Sequence, residues 1–234
     1  MMIVGLMRSW AALLSILLIG PSFAQPTPFK ASYSANIDLL IDVPVTAIRE
    51  LQKTSTGTWR FTNSASAFMA KQSETSELRF SHGEWSPLLY NYERSLFGRS
   101  RSISIDFDEA GGRITTLVNG DPWNQPWESA VQDRLSYQLQ LREDLKAGRQ
   151  QLNYRIADGG QIKSYQFTRL GEESLKTPAG TFLCEKLQLV RAGQQHTTLI
   201  WMAKELDYLT IRLIRIDADG KEHLLNLKSV EFYD

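Results

Sequence analysis

The sequence predicts a mostly β protein: a single antiparallel curved sheet, or an open β-barrel, with one main α-helix at about residues 133–147. Three observations predict it. Apolar and polar residues alternate with period two, Asp- and Gly-rich turns recur between the alternating runs, and one stretch free of Gly and Pro carries helical spacing.

The first 24 residues read as a cleavable export signal. Arg8 supplies a positive start, Trp10 to Gly20 is an apolar run, Pro21 breaks any helix, and Ser22-Phe23-Ala24 presents small residues for cleavage after Ala24. The apolar run falls short of the roughly 20 residues a spanning helix needs. The expectation is therefore a mature domain of residues 25–234, periplasmic, without a transmembrane anchor after cleavage. No cysteine stands at the cut to carry a lipid.

Phe29, Ala31, Tyr33, Ala35, Ile37 and Leu39 alternate with Lys30, Ser32, Ser34, Asn36 and Asp38, the pattern of a half-buried strand. Trp59, Phe61, Ala65, Ala67 and Met69 repeat it, with Asn63 as the exception, and Ile103, Ile105 and Phe107 do so after Arg99 and Arg101. Hairpin turns are predicted at Asp108–Gly112, Asp158–Gly160 and Asp217–Gly220, because Asp and Gly accept the backbone angles of tight turns. Asp121-Pro122-Trp123-Asn124-Gln125-Pro126-Trp127 reads as an extended connection over an apolar surface, its prolines keeping it out of a central strand. From Asp133 to Lys146, Leu135, Leu139, Leu141 and Leu145 make an apolar helix side, with Asp133 to cap the start and Gly148 to end it. Such a helix would cover a sheet edge or plug a barrel mouth.

Charge and motifs narrow the function. Acidic and basic residues balance at 26 each, against the basic excess of a nucleic-acid binder. His82, His196 and His223 share no ligand spacing, Asp106 and Asp108 fit hairpin capping better than a calcium loop, and no phosphate loop or Gly-x-Ser-x-Gly elbow occurs. Cys184 is the only cysteine, which precludes an internal disulfide and predicts a buried thiol. No catalytic residues, metal ligands or cofactors are expected, and the chain reads as a non-enzyme. Candidate ligand contacts are Trp59, Tyr90, Tyr92, Trp123, Trp127 and Trp201, which would line a cavity or fill a core, and Arg99 and Arg101, which with Arg94 would face an anionic head group or solvent.

Thr177-Pro178-Ala179-Gly180-Thr181-Phe182, followed by Cys184, Lys186, Leu187 and Leu189, resembles a signature of the bacterial family called domain of unknown function 3108. Asp133-Arg134-Leu135-Ser136, Gly98-Arg99-Ser100-Arg101 leading to Ile105-Asp106-Phe107-Asp108, and Trp201-Met202-Ala203 are similar to further segments of that family, in order. The resemblance implies an exported protein with an antiparallel β fold and supplies no activity. Two functions compete: binding or carrying a hydrophobic or lipid ligand of the cell envelope, or docking on an envelope protein or glycan through Trp123 and Trp127. A hydrolase of envelope material is a third, for which no acid–base pair is visible.

Overall fold

A computed structural model describes residues 25–38, 42–67 and 70–233; the predicted leader, Leu39 and Met69 lie outside the described residues. Eight strands form the first half: β1 (Phe29–Asp38), β2 (Asp42–Lys53), β3 (Trp59–Ala67), β4 (Ala70–Ser81), β5 (Glu84–Leu96), β6 (Arg99–Asp108), β7 (Arg113–Val118) and β8 (Asp121–Pro126). After the short β9 (Val131–Gln132) comes the helix α1 (Ser136–Lys146). The second half holds β10 (Leu152–Asp158), β11 (Gln161–Thr177), β12 (Gly180–Val190), β13 (Thr197–Ala203), β14 (Leu209–Ile216) and β15 (Glu222–Phe232).

All belong to one sheet, ordered β8-β7-β6-β5-β4-β3-β2-β1-β15-β14-β13-β12-β11-β10-β9. Every neighbouring pair is antiparallel except β9 with β10. Each half is a meander of hairpins, and β1 against β15 joins them, from Phe29 opposite Phe232 to Asn36 opposite Leu224. The predicted hairpins stand where the Asp and Gly residues place them. Asp108 Oδ1 accepts the Gly111 N–H at 2.7 Å, and Gly159 and Gly160 make the two-residue β10–β11 turn with φ of 62° and 81°. Register shifts in the β1–β15, β4–β5, β11–β12 and β13–β14 ladders bend the sheet, as bulges do.

The Asp121–Pro126 segment departs from the reading as a connection. It is the edge strand β8, paired with β7 from Arg113 opposite Pro126 to Val118 opposite Asp121. An edge strand needs donors on one side only, so Pro122 and Pro126 are tolerated there.

The helix lies against β5 and β10, inside the curve of the sheet, so it joins the two halves. Leu135 and Leu139 enter one apolar cluster with Phe29, Phe61, Trp85 and Tyr90; Leu141 and Leu145 enter a second with Leu152, Tyr154, Phe167 and Leu187. Asp133 caps the start: its Oδ1 accepts the N–H groups of Leu135 at 2.7 Å and Ser136 at 2.8 Å, while Ser136 Oγ accepts the Asp133 N–H at 2.7 Å. Gly148, at φ 69°, ends it: its N–H donates to the Leu145 carbonyl and that of Arg149 to the Asp144 carbonyl, the paired bonds of a left-handed C-terminal cap.

The two ends of the sheet order meet through side chains. On β8, Gln125 Nε2 donates to the Gly160 carbonyl at 2.6 Å, and the Trp123 ring lies on the Gly160 backbone. Near the start of β5, where β6 is not yet paired, Gln140 Oε1 accepts the Trp85 N–H at 2.8 Å and Gln132 Nε2 donates to the Trp85 carbonyl at 2.7 Å. Two glutamines thus satisfy backbone groups that would otherwise be buried without partners.

Candidate ligand site at the mouth of the sheet

Charged residues stand at core-facing positions on three strands. On β2, Arg49 shares a face with Val45, Ala47 and Leu51; on β4, Glu74 shares one with Ser76 and Leu78; on β6, Arg99 and Arg101 precede Ile103 and Ile105. Inside the curve Arg49 and Glu74 belong to a polar layer beside the helix start, whereas Arg99 and Arg101 stand exposed beyond it. Tyr90 Oη donates to Glu74 Oε2 at 3.0 Å, Ser76 Oγ donates to Asp133 Oδ2 at 2.5 Å, and the Arg134 guanidinium sits 5.4 Å from the centre of the Tyr92 ring. Arg49 lies over the Tyr33 ring at 5.3 Å, and Tyr33 Oη donates to the Thr210 carbonyl at 2.9 Å.

Electrostatics follow from burial. Burial pushes the Asp133 carboxyl up to about 6, against the lowering effect of hydrogen bonds from Ser76, Ser136 and Leu135. Burial likewise raises the Tyr90 hydroxyl, and the Glu74 carboxylate beside it adds to the rise. Burial opposes the charge on Arg134, but Glu74, Tyr90, Asp158 and Tyr165 together outweigh it and the guanidinium is held above its ordinary value. Behind this layer packing is close: the gap bounded by Phe29, Arg49, Phe61, Gln138, Leu139 and Arg142 measures about 10 Å³.

Open space begins where the layer ends, near the tips of the β3–β4 and β5–β6 hairpins. A pocket of about 240 Å³ is walled by Val45, Ala65, Ala67, Ala70 and Leu96, with Gln72 and Arg94 among its polar lining. A wider polar hollow of about 660 Å³ lies on the opposite, outer face of the same strands, where Ser64, Ser73, Glu93 and Ser102 stand in register. Its volume is in the range of small-molecule sites. A separate cleft of about 760 Å³ lies where β5 and β6 part, between Trp85, Asp106, Glu109, Trp127 and Gln132.

The residues singled out from sequence fall into three places. Trp59, Tyr90, Tyr92 and Trp201 are buried: Trp59 packs edge-on against Trp85 at 5.7 Å, and Trp201, under Lys186, donates its indole N–H to Glu173. Arg99 and Arg101 stand exposed on β6, and Arg101 lies opposite Arg94, which borders the apolar pocket. Trp123, 55% exposed, rests on Gly160, whereas Trp127 is half-buried against the core and borders the cleft beside β5. Arg49, Glu74 and Arg134 escaped the sequence reading, although a charge at an apolar-parity position, as at Arg49 and Glu74, is the signal that marks them.

The Cys184 thiol is fully buried and donates to the Phe182 carbonyl. Burial pushes it up to about 11, with Glu205 and Glu173 adding to the rise, so it stays protonated, unlike a reactive thiolate. His196 bonds with Arg191 at 3.0 Å, and His223 with Asp217 at 2.8 Å. Among the described residues, no group of three or more His, Cys, Asp or Glu side chains could hold a metal ion. Thr177–Phe182 is the β11–β12 turn: the Thr177 hydroxyl accepts the Ala179 N–H and donates to the Gly180 carbonyl, both at 3.2 Å, a structural role for that motif.

A meandering antiparallel sheet curled around one internal helix defines a barrel-like class of protein. The chain belongs to the family described as "Protein of unknown function (DUF3108)", which it matches over residues 32–225. No curated protein matches the sequence. Among solved structures, it is similar to a β-barrel-like protein of the domain of unknown function DUF1849 from Brucella abortus, with 8% identity, 89% of this chain and 98% of that one covered, and a TM-score of 0.60. That likeness shows the fold. Two looser matches are a protein from Parabacteroides distasonis, provisionally described as a lipoprotein (10% identity, 89% and 97% covered, TM-score 0.33), and a domain from Vibrio parahaemolyticus, provisionally described as outer membrane lipoprotein-sorting (10% identity, 88% and 85% covered, TM-score 0.26). Among the described residues, no helix is long and apolar enough to cross a membrane.

Proposed function

We propose that this is an exported, non-catalytic protein of the bacterial cell envelope that binds a single-chain amphiphile at the mouth of its sheet. The observation that carries the reading is an apolar pocket with a cation at its rim. Val45, Ala65, Ala67, Ala70 and Leu96 wall it on the inner face of the sheet, and Arg94 borders it on that face. A short apolar tail fits the pocket, with its head group beside Arg94. The close packing around Phe29, Phe61 and Leu139 keeps such a ligand at the mouth. The export signal predicted at residues 1–24 supports the envelope location.

Displacement of a fluorescent fatty acid from the full mature chain, paired with native mass spectrometry of protein isolated from cell envelopes, tests the reading. Binding is expected in wild type and lost in Ala65→Trp, whose indole fills the pocket, with the melting temperature retained. A wild-type protein that neither binds the probe nor carries a co-purifying amphiphile refutes it. A second reading, docking on an envelope partner, draws on Trp123, which is exposed on the edge strand β8. Unchanged capture of envelope partners by Trp123→Ala speaks against it.

A further inference from the structure

The register of β5 with β6 sets Arg94 directly opposite Arg101. Directly opposed residues of an antiparallel pair share a face and bring their Cβ atoms to about 4.5–5.5 Å, so two like charges there repel. Arg99 lies two residues from Arg101 on the same strand, again on that face. No carboxylate relieves them: among the described residues, none pairs with Arg94, Arg99 or Arg101, although Arg60, Arg113, Arg155, Arg169 and Arg215 each meet one. The neighbouring acidic residue, Glu93, is opposite Ser73 and Ser102, on the other face of its strand. In a chain whose charges balance overall, this face concentrates unpaired positive charge.

Arg94 also borders the apolar pocket, while the amide of Gln72, opposite it on β4, is held by Glu74 at 2.8 Å. An anion between Arg94 and Arg101 would accept hydrogen bonds from both forks and cancel their repulsion, the geometry that arginine offers to phosphate and carboxylate. We propose that Arg94 and Arg101 form an anion site for the head group of the bound amphiphile, a phosphate or carboxylate carried on a single acyl chain. This rests on the mouth pocket taking an apolar tail and adds the charge of the head.

The test uses the full mature chain and three ligands at fixed ionic strength: a lysophosphatidylglycerol, the monoacylglycerol of the same chain, and inorganic phosphate. Isothermal titration follows wild type, Arg94→Gln, Arg101→Gln and Arg94→Lys. The lysophospholipid is expected to bind most tightly, each glutamine variant to weaken it about tenfold, and the lysine variant to weaken it less, since one charge-assisted hydrogen bond is worth roughly that factor. Added salt should weaken the lysophospholipid and leave the monoacylglycerol unchanged. Because both arginines are exposed and repel each other, the glutamine variants keep or raise the melting temperature, which separates lost binding from lost folding. Equal affinity for the two acyl ligands, unmoved by the substitutions, overturns the anion site and leaves the tail reading standing. Failure of both acyl ligands overturns the tail reading. Inorganic phosphate binding as tightly as the lysophospholipid, and weakened by Arg94→Gln, overturns the lipid head group in favour of a free anion.

Discussion

Trp123 lies on Gly160 so closely that a Cβ at residue 160 would stand 2.7 Å from the ring Cγ. Gly160 also holds φ at 81°, a left-handed conformation that side chains disfavour. Gly160→Ala should therefore destabilise the protein by about 1–2 kcal/mol through strain, plus the cost of moving the ring. Trp123→Ala removes the clash, so the double variant should lose less than the sum of the singles. Urea denaturation of the four proteins checks this; strict additivity would show that the two edges do not touch in solution.

Asp133 gives stability a pH dependence of unusual sign. Its folded value, about 6, lies above the 3.8 of an unperturbed carboxyl, so between these pH values the folded state holds the extra proton. Its contribution is present below pH 4 and is lost as pH rises towards and through 6, by up to about 3 kcal/mol. Asp133→Asn keeps an acceptor for the Leu135 and Ser136 N–H groups and should flatten the pH profile of thermal stability between 4 and 7. Asp133→Ala loses the cap and should cost about 1–2 kcal/mol at every pH. A profile unchanged by Asp133→Asn would contradict the assignment.

Glu74 balances Arg134 and holds the Tyr90 hydroxyl. Glu74→Ala leaves a largely buried guanidinium without its counter-charge and should cost about 2–3 kcal/mol in denaturant titrations. Tyr90→Phe removes one hydrogen bond and should cost about 1 kcal/mol. Similar costs for the two would mean that Arg134 finds another partner.

Cys184 should be silent towards Ellman's reagent in the native protein, because its thiol is buried and protonated at neutral pH. Labelling should appear only with unfolding, at a rate that tracks the loss of β circular dichroism. Rapid labelling of native protein would contradict its placement.

The parts of the fold legible in the sequence are those set locally. Alternation in Phe29–Ala35 and in Ile103–Phe107 marked strands, and Asp158-Gly159-Gly160 marked a turn, because each needs only its own residues. The pairing of β1 with β15 and the contact of Trp123 with Gly160 depend on residues far apart in the chain, and no local pattern carries them. The site divides in the same way. Arg99 and Arg101 were visible as arginines alternating with serines, but only the register places Arg94 opposite Arg101. The alanines at 65, 67 and 70 form a pocket because they are small, and small residues leave little trace in a hydropathy pattern. The tryptophans drew attention as ligand contacts, yet Trp59 and Trp201 serve the core, the ordinary fate of large aromatic rings.

The β1–β15 ladder has a consequence for biogenesis. Strands up to β8 can zip with neighbours already synthesised, and so can those from β10 to β14, but the two meanders meet edge to edge only after residues 222–232 have emerged. Until then the β1 edge, with Phe29, Ala31 and Tyr33 behind it, is an unpaired template for foreign strands. The emerging polypeptide is accordingly most in need of a chaperone after β14 has formed and before residues 222–232 appear, while its central edge is still bare.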